Sequence, residues 1–179
     1  VKDTLIIGGG DTAYYLAYLL IETGINVKIV EQNPNRCDEL LKLLPKATVI
    51  CGDGTDNRLL VEEGLESAES VVSLTNIDEE NILLSLYAKT KTNGKVVTKI
   101  NRIAYDRVID SLDLGTTIYP KNITAEYIVR FVRAKKNSLG SQIETMHFIL
   151  DNKAEALEFR IKDGSPISGI SIDSLKLKD

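Results

Sequence analysis

Six short runs of nearly continuous apolar and β-branched residues, each separated from the next by a segment with helical spacing, leave this chain few ways to fold. The runs are Thr4–Ile7, Asn26–Val30, Thr48–Cys51, Ser70–Leu74, Lys95–Ile100 and Thr116–Tyr119. The helical segments between them are Thr12–Thr23, Pro34–Leu44, Asn57–Gly64, Asp78–Thr92 and Ile103–Leu112. Strands that lack apolar–polar alternation are buried on both faces, and strict strand–helix alternation gives a parallel sheet covered by helices on both sides. Right-handed crossovers then produce a doubly wound, Rossmann-type α/β sheet, complete by Tyr119. The expected organisation is that domain over 1–120, a crossover helix and linker over 121–140, and an incomplete small α+β module over 141–179.

The later segments support this division. "KNITAEYIVRFVRAKK" predicts a helix from Asn122 to Lys136, with Asn122 or Thr124 as its cap and clustered cations at its end. Its apolar residues make two neighbouring rows, Ala125, Ile128, Val129 and Val132 beside Tyr127, Ile128 and Phe131. A helix so apolar around its girth packs on two sides, one of them against a second domain or subunit. Two strand-like runs follow, Glu144–Leu150 and Glu155–Ile161. The stretch from Ser141 onward falls short of the roughly 40 residues that a domain needs to fold without metals or disulfides, so it is expected to be truncated, swapped or poorly ordered.

Composition excludes several classes. A hydrophobic fraction of 43% suits a packed core, and no stretch is long and apolar enough to cross a bilayer. The formal net charge of −4 argues against a nucleic-acid partner. Cys37 and Cys51 lack metal-ligand spacing and read as reduced core residues. The opening residue is Val, which reads as a piece of a longer polypeptide.

The chemistry begins at "LIIGGGDTAYYLAYLL". Gly8, Gly10 and Ala13 fit the G-x-G-x-x-G/A spacing between a strand and a helix. The first glycine permits the turn, the second admits a pyrophosphate, and the small third residue lets helix and strand pack closely. Helix-start amides and the helix dipole favour the anion. Glu31 ends the second strand about 20 residues after Gly10, placed to accept from ribose hydroxyls and to repel a ribose phosphate, which favours NAD or adenosine ligands over NADP. "CGDGTD" either brings Asp53 and Thr55 beside an adenine or is a turn in which Thr55 or Asp56 caps the next helix. In "LTNIDEEN", Asn76 and Glu79 form a capping pair, and Asp78, Glu79 and Glu80 read as a solvated first turn rather than a metal site. Asp11 stands where phosphate is expected. A carboxylate there caps the helix itself or weakens a terminal triphosphate more than a pyrophosphate diester. No acid–base group suited to hydride transfer stands out. His147, the single histidine, reads as structural, and neither a G-x-S-x-G elbow nor a P-loop occurs.

Together, "LIIGGGDTAYYLAYLL", "NVKIVEQNPNRCDELLKLLPKATVICGDGTD" and "SLTNIDEENILLSLYAKT" resemble the regulator-of-potassium-conductance (KTN) family, in particular its TrkA-type potassium uptake regulators. The resemblance covers Lys2 to Lys136, and the tail from Glu155 looks like the opening of the family's C-terminal module. It implies a non-enzymatic cytoplasmic subunit, peripheral at the inner face of the membrane, that gates a membrane-embedded potassium transporter. Such subunits bind NAD(H) or ATP/ADP and change the geometry of a dimer or ring, here through residues 122–136. The implied phosphate loop is Gly8, Gly9, Gly10, Asp11, Thr12 and Ala13, with Glu31 as ribose acid. Asp53, Gly54 and Thr55 are implied near adenine, and Thr75 and Asn76 near the distal phosphate or ribose. Lys99 stands where the family commonly places an arginine, and some members carry arginine at the Asp11 position; both departures bear on which ligand binds. Two rival readings are a fragment of an NAD-dependent dehydrogenase and a dimerisation repeat that binds nothing.

Overall fold

The computed structural model of the chain describes residues 1–102, 109, 111–136, 143–149, 154–161, 163–165 and 168–174. The chain divides into two compact units, Val1–Pro120 and Lys121–Asp179.

In the first unit, strands β1 (Asp3–Ile7), β2 (Asn26–Glu31), β3 (Thr48–Cys51), β4 (Ser70–Ser73), β5 (Lys95–Lys99) and β6 (Thr116–Ile118) form one sheet. Its order is β3-β2-β1-β4-β5-β6, and every pairing is parallel. That is the doubly wound arrangement, with the direction of winding reversing between β1 and β4. Each predicted strand is present, with ends shifted by a residue or so.

Successive side chains of β1 feed two cores. Leu5 and Ile7 join Val30, Leu60, Leu65, Val71 and Leu84 on one side. On the other, Ile6 joins Val27, Ile29, Leu40 and Val72. Helix α1 (Asp11–Glu22) buries Ala13 and Ala17, whose small side chains let it lie close on the sheet. Helix α2 (Pro34–Leu43) covers the same side through Cys37 and Leu40, and α3 (Asn57–Glu62) and α4 (Asp78–Lys91) cover the opposite side. Between α4 and the sheet runs a buried hydroxyl chain: Thr98 donates to Ser85 at 2.7 Å, and Ser85 to Ser73 at 3.1 Å. Polar groups are tolerated there because each finds a partner.

The helix starts agree with expectation at α3 and depart from it at α4. Asn33 caps α2 and Asp56 caps α3, each accepting an amide two residues on. For α4, however, Ile77 is the cap residue and no side chain caps the helix, so the expected Asn76–Glu79 pair is not formed. Glu79 instead receives the guanidinium of Arg102 at 2.8 Å. The helix predicted over Ile103–Leu112 lies largely outside the described residues.

The second unit carries α5 (Pro120–Lys136, whose first residue belongs to the first unit) and an antiparallel pair, β7 (Ile143–Ile149) and β8 (Ala154–Phe159). Helix α5 opens on Pro120, a residue whose missing amide and fixed φ suit a first helical position, so Asn122 and Thr124 lie inside the helix rather than capping it. Ile123, Ile128, Phe131 and Val132 are all exposed. His147 sits on β7 opposite Ala156.

Candidate functional site

At the reversal between β1 and β4, the loops leaving the two strands diverge and open a cleft of about 530 Å³, within the usual range for small-molecule sites. Its lining comes from the carboxyl ends of β1, β2 and β4, from the start of α2 and from Gly54.

The turn from β1 is held by three backbone demands. Gly8 has a φ of 98°, the left-handed region, and a Cβ there would stand 2.8 Å from the Thr75 amide nitrogen. Its own amide donates to the Val30 carbonyl at 2.8 Å. Gly9 is fixed at both polar groups: its amide donates to Glu31 Oε2 and its carbonyl accepts from Arg36 Nε, each at 2.7 Å. A Cβ on Gly9 would meet Leu40 at 2.7 Å and Glu31 at 2.9 Å, so the residue is glycine because the carboxylate comes so near. Gly10, by contrast, faces open space. It is the cap residue of α1 and supplies no side-chain acceptor, while the first amides of any helix lack intrahelical acceptors. Those donors could meet an anion at the cleft.

Asp11 is not that cap. It occupies the first helical position, is 89% exposed, and accepts from Arg36 Nη2 at 3.1 Å. Arg36 also reaches Glu39 at 2.7 Å, and that bond, ahead of the charges of Asp11 and Glu31, holds its guanidinium above the ordinary arginine value despite burial. Glu31 accepts from the Gly9 amide through one oxygen and from the Asn33 amide, also at 2.7 Å, through the other. Each carboxylate oxygen keeps a further lone pair for a hydroxyl.

The remaining predicted residues divide between lining and support. Thr75 and Asn76 line the cleft together with Gly8, Gly9, Gly10, Asp11, Glu31 and Gly54. Thr12, Ala13, Asp53, Thr55 and Lys99 are not in the lining. Thr12 is exposed, and Ala13 is buried beneath the turn. Asp53 accepts the amide and the hydroxyl of Thr55, both at 2.8 Å, which holds its carboxyl below the usual range. Asp56 caps the next helix, as the turn reading of this loop expects. Lys99 is buried and donates to the Leu74 carbonyl at 3.0 Å; burial pushes its ammonium down, against the opposing pull of Asp78.

Sequence reasoning missed a buried network beneath the β4 loop. Asn81, with 0% of its surface exposed, accepts from the Thr75 amide at 2.8 Å and donates to the carbonyls of Thr75 and Lys99 at 3.0 Å each. Asp78 is buried too, correcting its reading as a solvated residue. It accepts from the Asn101 amide and side chain and from the Arg102 amide, at 2.9, 3.0 and 2.9 Å. Burial pushes its carboxyl up, but these donors and the Arg102 charge outweigh it and leave the group below its ordinary value. One signal was present there, since asparagine inside a helix is locally unfavourable; Arg36, also missed, was marked as a cation in a first turn, where the dipole disfavours it. Among the described residues no cluster of His, Cys, Asp and Glu could hold a metal ion. Cys37 and Cys51 are free thiols, but only Cys37 is a core residue and Cys51 is exposed; Cys37 lies against the Glu31 carbonyl, and burial, reinforced by Cys51, pushes its thiol up to about 12.

A doubly wound sheet, a glycine turn into an uncapped helix and an acid ending β2 define a Rossmann-type dinucleotide-binding fold. The comparisons are more specific. Residues 4–120 match the TrkA-N domain, and the chain belongs to that family. It is 32% identical over 173 residues to a Trk system potassium uptake protein trkA homolog 1 of Methanosarcina mazei, covering 96% of this chain and 41% of that protein. Thus the chain spans about two fifths of the length of that curated relative. Among solved structures, it resembles the TrkA-N domain of the inner membrane protein ybaL from Escherichia coli (TM-score 0.65, 16% identity, 73% of this chain and 96% of that one). It also resembles a GsuK channel bound to NAD (TM-score 0.58, 16% identity, 84% of this chain and 26% of that one). No helix among the described residues is long and apolar enough to cross a membrane.

Proposed function

We propose that this chain is a nucleotide-sensing regulatory domain of a potassium uptake system, acting on the cytoplasmic side of a membrane-embedded transporter. The observation that carries the reading is the cleft itself: the uncapped start of α1, the open face of Gly10 and the Glu31 carboxylate all converge on it. That set fits a ribose joined to a pyrophosphate, the anion at the helix start and the hydroxyls at Glu31. The names of the relatives support the potassium-uptake role, and the NAD-bound GsuK neighbour supports NAD(H) as the first ligand to test, with ATP and ADP as the others. Gly8 to Ala13 form the phosphate loop, and Thr75 and Asn76 bound the far side. Asp53, Thr55 and Lys99 act from behind, by holding the loops that line the site.

The ligand is sensed rather than consumed. Binding shifts the arrangement of two or more copies joined through residues 122–136, where Ile128, Phe131 and Val132 stand exposed. Such a shift requires that the nucleotide bind one arrangement more tightly than the other.

Calorimetry with NAD, NADH, ATP and ADP, on wild type and Glu31→Ala, tests the site. Binding to wild type that is lost in the variant supports it; silence for all four ligands leaves only a non-binding dimerisation repeat. Turnover of NADH by the intact protein would instead favour the dehydrogenase reading. Superimposable scattering profiles of the intact protein with and without saturating nucleotide would refute the gating step.

A further inference from the structure

We propose that Arg36 is the cation that receives phosphate in this cleft, and that Asp11, paired with it, makes the site select a pyrophosphate diester over a ligand ending in free phosphate. This inference rests on the nucleotide reading above and names the ligand class of the same site.

Arg36 enters from α2, one strand away from the glycine turn, and its side chain is only 20% exposed. Its donors are divided: Nε is committed to the Gly9 carbonyl, Nη1 to Glu39, and Nη2 to Asp11. The first two bonds fix the plane of the guanidinium. The third is to a carboxylate that is almost fully exposed, which water solvates readily when it is released. Nη2 is thus the donor that an incoming phosphate oxygen can share or take, beside the first amides of α1.

The charges around that point set the selectivity. Among the described residues, the cleft is lined by three carboxylates, Asp11, Glu31 and Glu80, and by one cation, Arg36. A pyrophosphate esterified at both ends carries two charges, one on each phosphorus, which the α1 amides and a shared Nη2 meet. A terminal phosphate ionises further and must either lie against Asp11 or expel it from Arg36, adding repulsion to a site with an acidic surplus. The acidic residue that stands at the helix entrance thus acts as a filter, and the arginine held behind it makes binding possible.

The test is titration calorimetry of the whole chain with NAD, ADP-ribose, ADP and ATP. Asp11→Asn is expected to tighten ADP and ATP about tenfold and to change NAD and ADP-ribose less than about threefold. Arg36→Gln is expected to weaken all four about tenfold or more, and Arg36→Lys to recover part of the loss, since lysine keeps the charge but not the fork. Thermal unfolding of each variant separates lost binding from lost fold. Equal changes for diesters and terminal phosphates in Asp11→Asn, or undiminished NAD binding in a folded Arg36→Gln, overturn the inference while the nucleotide reading stands. Absence of heat from wild type with every ligand removes the nucleotide reading, and the inference with it.

Discussion

Replacing Asn81 with alanine should loosen one wall of the cleft without touching the other. The native side chain satisfies the amide and carbonyl of Thr75 and the carbonyl of Lys99 from a position with no solvent exposure. Truncation strands those three groups. A buried group left unsatisfied costs about 1–3 kcal/mol, but the Thr75 groups lie on a half-exposed loop and regain water, so the sum is about 3 kcal/mol. For a chain of this size, that corresponds to a fall in Tm of about 6–12 °C. The assay is urea and thermal unfolding of the whole chain, with the exposed neighbour Asn76→Ala as control, expected within about 0.5 kcal/mol of wild type. An Asn81→Ala variant within about 1 kcal/mol of wild type would refute the reasoning, because it would mean that the three bonds do not hold the loop.

Three further outcomes follow from the same geometry. Gly9→Ala places a Cβ against Leu40 and Glu31, so it should displace the carboxylate and weaken NAD binding by about tenfold or more, read by calorimetry beside a thermal melt. Asp78 has a lowered folded value, so its stabilisation is complete above its ordinary value, about pH 4, and is lost as pH falls through the folded value; the gap in urea midpoint between wild type and Asp78→Asn should narrow from pH 6 to pH 3. Burial lowers the Lys99 value, so between the folded and unfolded values the unfolded chain holds more protons and wild-type stability should rise with pH. Lys99→Met should lack that alkaline rise, and an unchanged pH slope would count against the buried ammonium.

What was legible in the sequence was whatever the chain encodes locally. Apolar runs of four to six residues gave the strand positions and their parallel sense, since a doubly covered strand cannot alternate. Gly8, Gly10 and Glu31 were legible because a sharp turn, an open approach and a strand-end acid recur at fixed spacing in this topology. The contacts that make the turn rigid were not. Arg36 meets the Gly9 carbonyl and Asp11 across more than twenty positions, and Asn81 joins Thr75 to Lys99 through the packing of α4 on the sheet. Such pairs leave only a local oddity behind: a cation at a helix start, an asparagine inside a helix. The Asn76–Glu79 capping pattern misled for the same reason, because Arg102 from the next loop competes for Glu79 and wins.

The two walls of the cleft are thus built on different physics, and salt should tell them apart. On the β1 side, Asp11 is held by one ion pair with Arg36, and because the Asp11 end stands in solvent the pair is worth no more than about 1 kcal/mol in dilute buffer. On the β4 side, the Asn81 bonds are neutral and buried. Raising salt to about 1 M shrinks the screening length to about 3 Å, comparable to the Asp11–Arg36 separation, and leaves neutral buried bonds unaffected. The stability gap between wild type and Asp11→Asn should therefore close in high salt, while the gap between wild type and Asn81→Ala persists; denaturant midpoints of the two variants at low and high sodium chloride measure both. If the two gaps shrink in parallel, the division fails and Asn81 is acting through the charges of Asp78 and Lys99 beside it rather than through its own hydrogen bonds.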